Sequence, residues 1–162
     1  MQISRKKSIP LSATTLARSG KNLAAAEQTC LRRGARLTPL RRRVLELVLA
    51  SGKPVGAYGL LEQLRAEGAG DAPPTVYRAL DFLQTHGLVH RIAKSNTFVA
   101  CSFPRDDHFG LIFVCRQCGA SVELQEQRII DDISRCAGHL GFRVPIQAFE
   151  VEGTCRNCRD GA

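Results

Sequence analysis

The chain has 162 residues, 44% of them hydrophobic and 6% aromatic, with no tryptophan, a globular composition long enough for one medium domain or two small ones. No stretch approaches the roughly 18 consecutive apolar residues of a membrane span, so no membrane role is expected. The net charge of +8 is uneven, with 16 Lys/Arg against 6 Asp/Glu in residues 1–103 and 7 against 9 in residues 104–162; the basic half is a candidate footprint for nucleic acid, the alternative being a basic surface that only confers solubility.

The first twenty residues, MQISRKKSIPLSATTLARSG, are basic, Ser/Thr-rich and free of acid. They read as a flexible arm that touches phosphate, or as plain disorder; an organellar transit peptide has a similar composition. No apolar secretory signal is present near the start, and a cytoplasmic location is expected. A first helix is expected from about Lys21 to Arg33, with Gly34 as its stop. LTPLRRRVLELVLAS is a second. Thr38 can cap it and Pro39 suits its first position. Leu40, Val44, Leu47 and Val48 make its buried stripe. Arg41, Arg42 and Arg43 crowd its first turn, where cations oppose the helix dipole, so phosphate is the expected reason for them. GAYGLLEQLRAEG is a third helix, ending at Gly68. DAPPTVYRALDFLQTHG holds a fourth, with Pro73 and Pro74 at its entry, Gly87 past its exit, and Val76, Ala79, Leu80 and Leu83 as core. VHRIAKSNTFVAC then reads as a β-hairpin. Helices followed by a hairpin are the winged helix-turn-helix order.

SFPRDDH breaks the pattern. Beyond it come a β-run, HFGLIFVC, a second strand, ASVELQ, a helix from about Gln127 to Leu140 stopped by Gly141, and a last strand, VPIQAFEVEG. In that strand Val144, Ile146, Ala148 and Glu150 share a face. The fold class is α+β. A flexible basic arm is expected over residues 1–20 and a winged-helix domain over 21–102. A hinge follows over 103–108, then a small α/β domain over 109–162. About sixty residues seldom form a stable core unaided, and a metal or dimerisation would supply the deficit.

Four of the seven cysteines form C-x2-C-x36-C-x2-C: Cys115, Cys118, Cys155 and Cys158. Two C-x-x-C turns can close a tetrahedron of thiolates around zinc, leaving no open position, so the site is structural. A thiol redox protein using the same pairs as dithiols is the rival from another class. A second site is suggested by His90 and Cys101. With a two-residue loop at Ser95-Asn96, Lys94 would pair with Thr97, Ile92 with Val99 and His90 with Cys101, all on one face. His108 and Glu123, from beyond the break, would complete a set of two nitrogens, one sulfur and one oxygen. Such a site would tie the two halves across the hinge, and its donors favour zinc over iron(II) or manganese(II). Cys30 and Cys136, on expected helices, read as buried apolar residues. No three-ligand site with a nearby general base is visible, so neither an enzyme nor a small-molecule substrate is expected.

The segments RLTPLRRRVLELV, APPTVYRALDFLQTHGLVHRI, FVAC, HFGLIFVCRQCGASVEL and GTCRNC stand in the order of the ferric uptake regulator family, and the sequence resembles that family over about residues 22–158, most closely its zinc uptake regulator branch. The resemblance implies a winged-helix DNA-binding domain, a hinge, an α/β dimerisation domain, a structural zinc on the four cysteines, and a sensing site on His90, Cys101, His108 and Glu123. Two Zn2+ per chain, a homodimer and double-stranded operator DNA follow, with repression of zinc-uptake genes as the output. A cysteine at 101 and the short DDH run depart from the iron-sensing branch; a sensor of iron, manganese or peroxide is the alternative within the family. The family's groove-entering helix matches Thr75–Leu83, so Thr75, Tyr77 and Arg78 are the expected base or phosphate contacts, with Tyr58, Arg36, Arg41 and Arg42 beside them.

Overall fold

A computed structural model describes residues 15–69, 72–104, 111–144 and 149–161. In chain order the elements are α1 (Thr15–Arg32), α2 (Pro39–Ser51), β1 (Val55–Gly56), α3 (Ala57–Ala66), α4 (Pro73–Thr85), β2 (Val89–Ile92), β3 (Thr97–Ala100), β4 (Leu111–Cys115), β5 (Ser121–Leu124), α5 (Gln127–His139), β6 (Phe149–Gly153) and α6 (Arg156–Asp160). Two three-stranded sheets result, ordered β1-β3-β2 and β5-β4-β6.

The first four helices form as their sequences dictate. Thr38 sits in extended backbone before α2 and its hydroxyl accepts from the Arg41 amide, with Pro39 at the first helical position. Val44, Leu47 and Val48 are buried as expected, and Leu45 and Leu49 join them, so the stripe is wider than the heptad reading; Leu40 is half-buried. On α4 the buried residues are the expected four, Val76, Ala79, Leu80 and Leu83. Gly87 ends α4 at φ +65°. That left-handed turn lets the Leu88 amide reach back to the Leu83 carbonyl at 2.8 Å and the Gly87 amide to Gln84 at 2.9 Å. Helices α1 to α4 and one face of β2-β3 enclose a single apolar core that includes Leu45, Leu60, Leu64, Leu80, Leu83, Val89 and Phe98.

Four boundaries differ from expectation. Helix α1 begins at Thr15, ahead of Lys21, so residues 15–20 of the expected arm are helical; residues 1–14 lie outside the described part. Strand β1 escaped the sequence reading because two residues carry no periodicity; it pairs with β3 through Val55↔Phe98 and Gly56↔Thr97. Short α6 was also missed. The fourth is the wing hairpin. Its pairs are His90↔Val99 and Ile92↔Thr97, leaving a four-residue loop, Ala93–Asn96, in place of the two-residue turn. Asn96 adopts φ 50°, one of the few residue types that does so readily, and its side chain accepts from Arg91 at 3.0 Å.

In the second sheet β4 runs antiparallel to β5 and parallel to β6. The register sorts the side chains by parity. Leu111, Phe113, Val122, Leu124, Phe149 and Val151 share one face; Ile112, Val114, Ser121, Glu123, Glu150 and Glu152 share the other. The second face meets the wing, where Ile112 and Val114 pack on Ile92 and Val99. The first stays partly open, with Phe113, Val122, Leu124 and Val151 each between 37% and 41% exposed. Of the expected last strand, Ile146 and Ala148 lie outside the described residues, whereas Glu150 lies in β6. Cys30 is buried as expected, but Cys136 is exposed. Its helix, α5, has Ile130 as its one buried residue, so a helical position there does not imply burial.

Candidate metal centres and nucleic-acid interface

The end of β4 and the turn after it carry Cys115 and Cys118, while Cys155 and Cys158 follow β6 at the start of α6. Because β4 and β6 are parallel neighbours, both knuckles emerge at the same end of the sheet. The four sulfurs lie within 4.8 Å of one another. Cys118 and Cys155 sulfurs are 3.7 Å apart; a tetrahedron with Zn–S bonds of about 2.3 Å puts its sulfurs roughly 3.8 Å apart, so the donor set fits zinc. The backbone amides of Cys155, Cys118 and Gln117 point at Cys115 and pull its thiol down to about 6. Cys158 is pushed up to about 12, chiefly by side-chain hydrogen bonds with Cys155 and Cys118. Without a dication the cluster does not hold four thiolates at neutral pH; with one it does.

The second cluster lies between the wing and the C-terminal sheet. His90 comes from β2, Cys101 follows β3, and Glu123 comes from β5. Their ligand atoms gather within 4.8 Å. His90 Nε2 is 2.8 Å from Glu123 Oε1, and Cys101 Sγ is 3.9 Å from the same oxygen. Directly opposed pairing of His90 and Cys101 is not observed: Cys101 donates its amide to Leu88, two residues before His90. The longer loop shifts the pairing by two, so parity is kept and both residues still face the same way, diagonally. His108, the fourth expected ligand, lies outside the described residues. Nitrogen, thiol and carboxylate donors, almost enclosed, suit zinc.

The electrostatics of this site follow from its enclosure. Burial disfavours the His90 cation, but hydrogen bonds with Cys101 and Glu123, and their charge, outweigh it and lift its pKa to about 9. The second oxygen of Glu123 accepts from the Ser102 amide at 2.6 Å, and the Cys101 sulfur from the Phe103 amide at 3.3 Å. Both side chains are thus oriented by the chain that leaves the wing.

Sequence reasoning missed a second tie across the same interface. Glu150 accepts from the Ala93 amide, and Glu152 bridges Lys94 at 2.7 Å and Arg116 at 3.0 Å. The alternation along β6 had put Glu150 on a face, but only the register shows that the face meets the wing loop.

The expected DNA contacts divide. Tyr58, at the start of α3, is 69% exposed, and Arg78 on α4 and Arg36 before α2 are exposed. Thr75 and Tyr77 are half-buried, Tyr77 against the helical core. The α2 arginines have intramolecular roles. Arg41 stacks on Phe82, 3.6 Å from the ring centre, and donates to the Arg36 carbonyl at 2.8 Å. Arg42 pairs with Glu27 of α1 and with Glu46 at 3.1 Å. Arg43 pairs with Glu67 at 2.5 Å and Glu46 at 2.9 Å. Two of the three cations in this first turn are thus compensated by carboxylates from α1, α2 and the residue after α3, and the third by an aromatic ring and a carbonyl. His86, just past α4, stacks on Phe82 with ring centres 4.1 Å apart.

Comparison with known proteins agrees with this architecture. The zinc uptake regulation protein of Escherichia coli (strain K12) is 39% identical over 137 residues, 84% of this chain and 80% of that protein. A solved zinc uptake regulator complexed with zinc and DNA superposes with a TM-score of 0.81 at 36% identity, covering 88% of this chain and 96% of that one. XcZur, 42% identical, superposes with a TM-score of 0.78 in its holo form, covering 86% of this chain and 98% of that one; for its apo form the score is 0.52, with 89% and 99% covered. The model of the ferric uptake regulator family matches residues 32–151, and the chain belongs to that family.

Proposed function

We propose that the protein is a zinc-responsive, DNA-binding transcriptional repressor of zinc-uptake genes, acting as a homodimer on double-stranded operator DNA in the cytoplasm. The observation that carries this is the second cluster. Its donors come from both sides of the hinge, His90 and Cys101 from the wing and Glu123 from the C-terminal sheet. His108 is proposed as the fourth ligand, and two Zn2+ per chain as the full complement. The cysteine set of residues 115, 118, 155 and 158 then holds the C-terminal domain together, and the second ion, when bound, joins the two domains.

The ion acts by favouring one arrangement of the wing over others. The greater likeness to holo than to apo XcZur supports reading the arrangement described above as the DNA-competent one. Tyr58, Thr75, Tyr77, Arg78 and Arg36 are the proposed DNA contacts; Arg41 and Arg42 reach phosphate only by exchanging their present partners. The division into arm, winged helix, hinge and dimerisation domain remains part of the proposal, with the arm shortened by the helical residues 15–20. No described helix is long and apolar enough to cross a membrane.

The test is binding to an operator duplex against free zinc at fixed salt, since phosphate contacts make affinity salt-dependent. Zinc should raise operator affinity at least tenfold, and Cys101→Ser should abolish that gain while leaving the structural zinc in place. An unchanged zinc response in Cys101→Ser would move the sensing site elsewhere.

A further inference from the structure

We infer that Thr29, on α1, is a positioning residue for the zinc response, coupling the helical domain to the segment that carries the sensing ligands; the inference rests on reading Cys101 and Glu123 as ligands of that site. Thr29 is the one buried polar residue among those described, with no exposed surface. A threonine within a helix ordinarily turns its hydroxyl back to the carbonyl four residues earlier or out to water. Here the hydroxyl donates to the carbonyl of Pro104, 75 positions away, at 2.7 Å. Arg32 donates to the Thr29 hydroxyl oxygen at 3.2 Å, which occupies a lone pair and directs the proton outward.

The acceptor is placed where it matters. Pro104 is buried and has no amide, so its carbonyl is its only backbone hydrogen-bonding group. The two residues before it use their amides on the sensing ligands: Ser102 on Glu123 and Phe103 on Cys101. Residues 101–104 therefore form a short strut. One end holds two ligand side chains in orientation, and the other is fixed to α1. Helix α1 packs on α2, and Glu27 of α1 pairs with Arg42 of α2; α2 in turn packs on α4, the helix proposed to enter the groove. Thr29 is thus the point at which the strut meets the bundle that presents α4.

The experiment compares wild type, Thr29→Val, Thr29→Ala and Thr29→Ser, using a duplex selected from a random pool by the zinc-loaded wild-type protein. The quantity read is the ratio of affinities with and without zinc. Valine and alanine should cut that ratio about 3- to 10-fold, the range one hydrogen bond supports, and serine should restore it. In zinc-free protein, amide exchange at Ser102 and Phe103 should accelerate in Thr29→Val and stay at the wild-type rate in Thr29→Ser. An unchanged ratio in valine and alanine, a serine variant as impaired as valine, or unaltered exchange would overturn the assignment. So would failure of both valine and alanine to fold, since the hydroxyl would then serve the fold and not the response. If wild type itself shows no zinc-dependent gain, the sensing-site reading fails and takes this inference with it.

Discussion

His90 sets the acid–base behaviour of the inter-domain site. In the metal-free chain its imidazolium is held by Cys101 and Glu123 with a pKa near 9, against an ordinary value near 6.5. A raised folded value stabilises the metal-free fold fully below about pH 6.5, and that contribution fades as pH rises through 9. Zinc takes the neutral ring, so binding must displace this proton. Apparent zinc affinity at the sensing site should therefore rise at least about tenfold per pH unit between pH 7 and 8, as read by competition with a chelator whose own protonation is corrected for. A flat profile would show that His90 enters the site already neutral. That His90, Cys101 and Glu123 lie together was legible in the sequence because metal-ligand chemistry narrows the candidates to His, Cys, Asp and Glu. The carboxylates Glu150 and Glu152 were not, because nothing in their spacing says which face of β6 meets the wing.

Among the elements, legibility followed length. The four-turn pattern of α4 gave its buried residues one by one, and Thr38-Pro39 gave the start of α2, since a helix repeats its signal every 3.6 residues. Two-residue β1 has no period to read. The wing register slipped by two because loop length depends on the left-handed backbone at Asn96, which Ser95-Asn96 as a pair does not reveal. Strand β4 carries the tightest test of how the domains meet. Ile112 is fully buried against Ile92 and Val99 of the wing. Ile112→Ala should cost about 2–5 kcal/mol in urea unfolding. It should also weaken the zinc response of DNA binding, because the apolar contact seats the wing beside its ligands. A substitution that lowers stability without touching that response would show that the contact serves the C-terminal core alone.

At the scale of the whole molecule, dimerisation was expected from the small size of the C-terminal domain; which apolar face that domain leaves open became visible only with the register of three strands. Phe113, Val122, Leu124 and Val151 present a contiguous apolar face on the side of the sheet away from the wing. Phe113→Glu should convert the dimer to monomer in sedimentation velocity, with the zinc content per chain unchanged, and specific DNA affinity should fall by orders of magnitude because two winged helices are no longer held at the spacing of two half-sites. A dimer of wild-type strength in that variant would place the interface on another surface. The sheet is thus a party wall one residue thick, with the cluster of His90, Cys101 and Glu123 on one side and the open apolar face on the other. Within each strand, which residues look which way is decided by alternation alone. Inserting a single residue between Ile112 and Phe113 would remove no ligand. It would turn Phe113 toward the wing and Val114 toward the open face, breaking both the apolar row and the seat of β4 on the wing in one step.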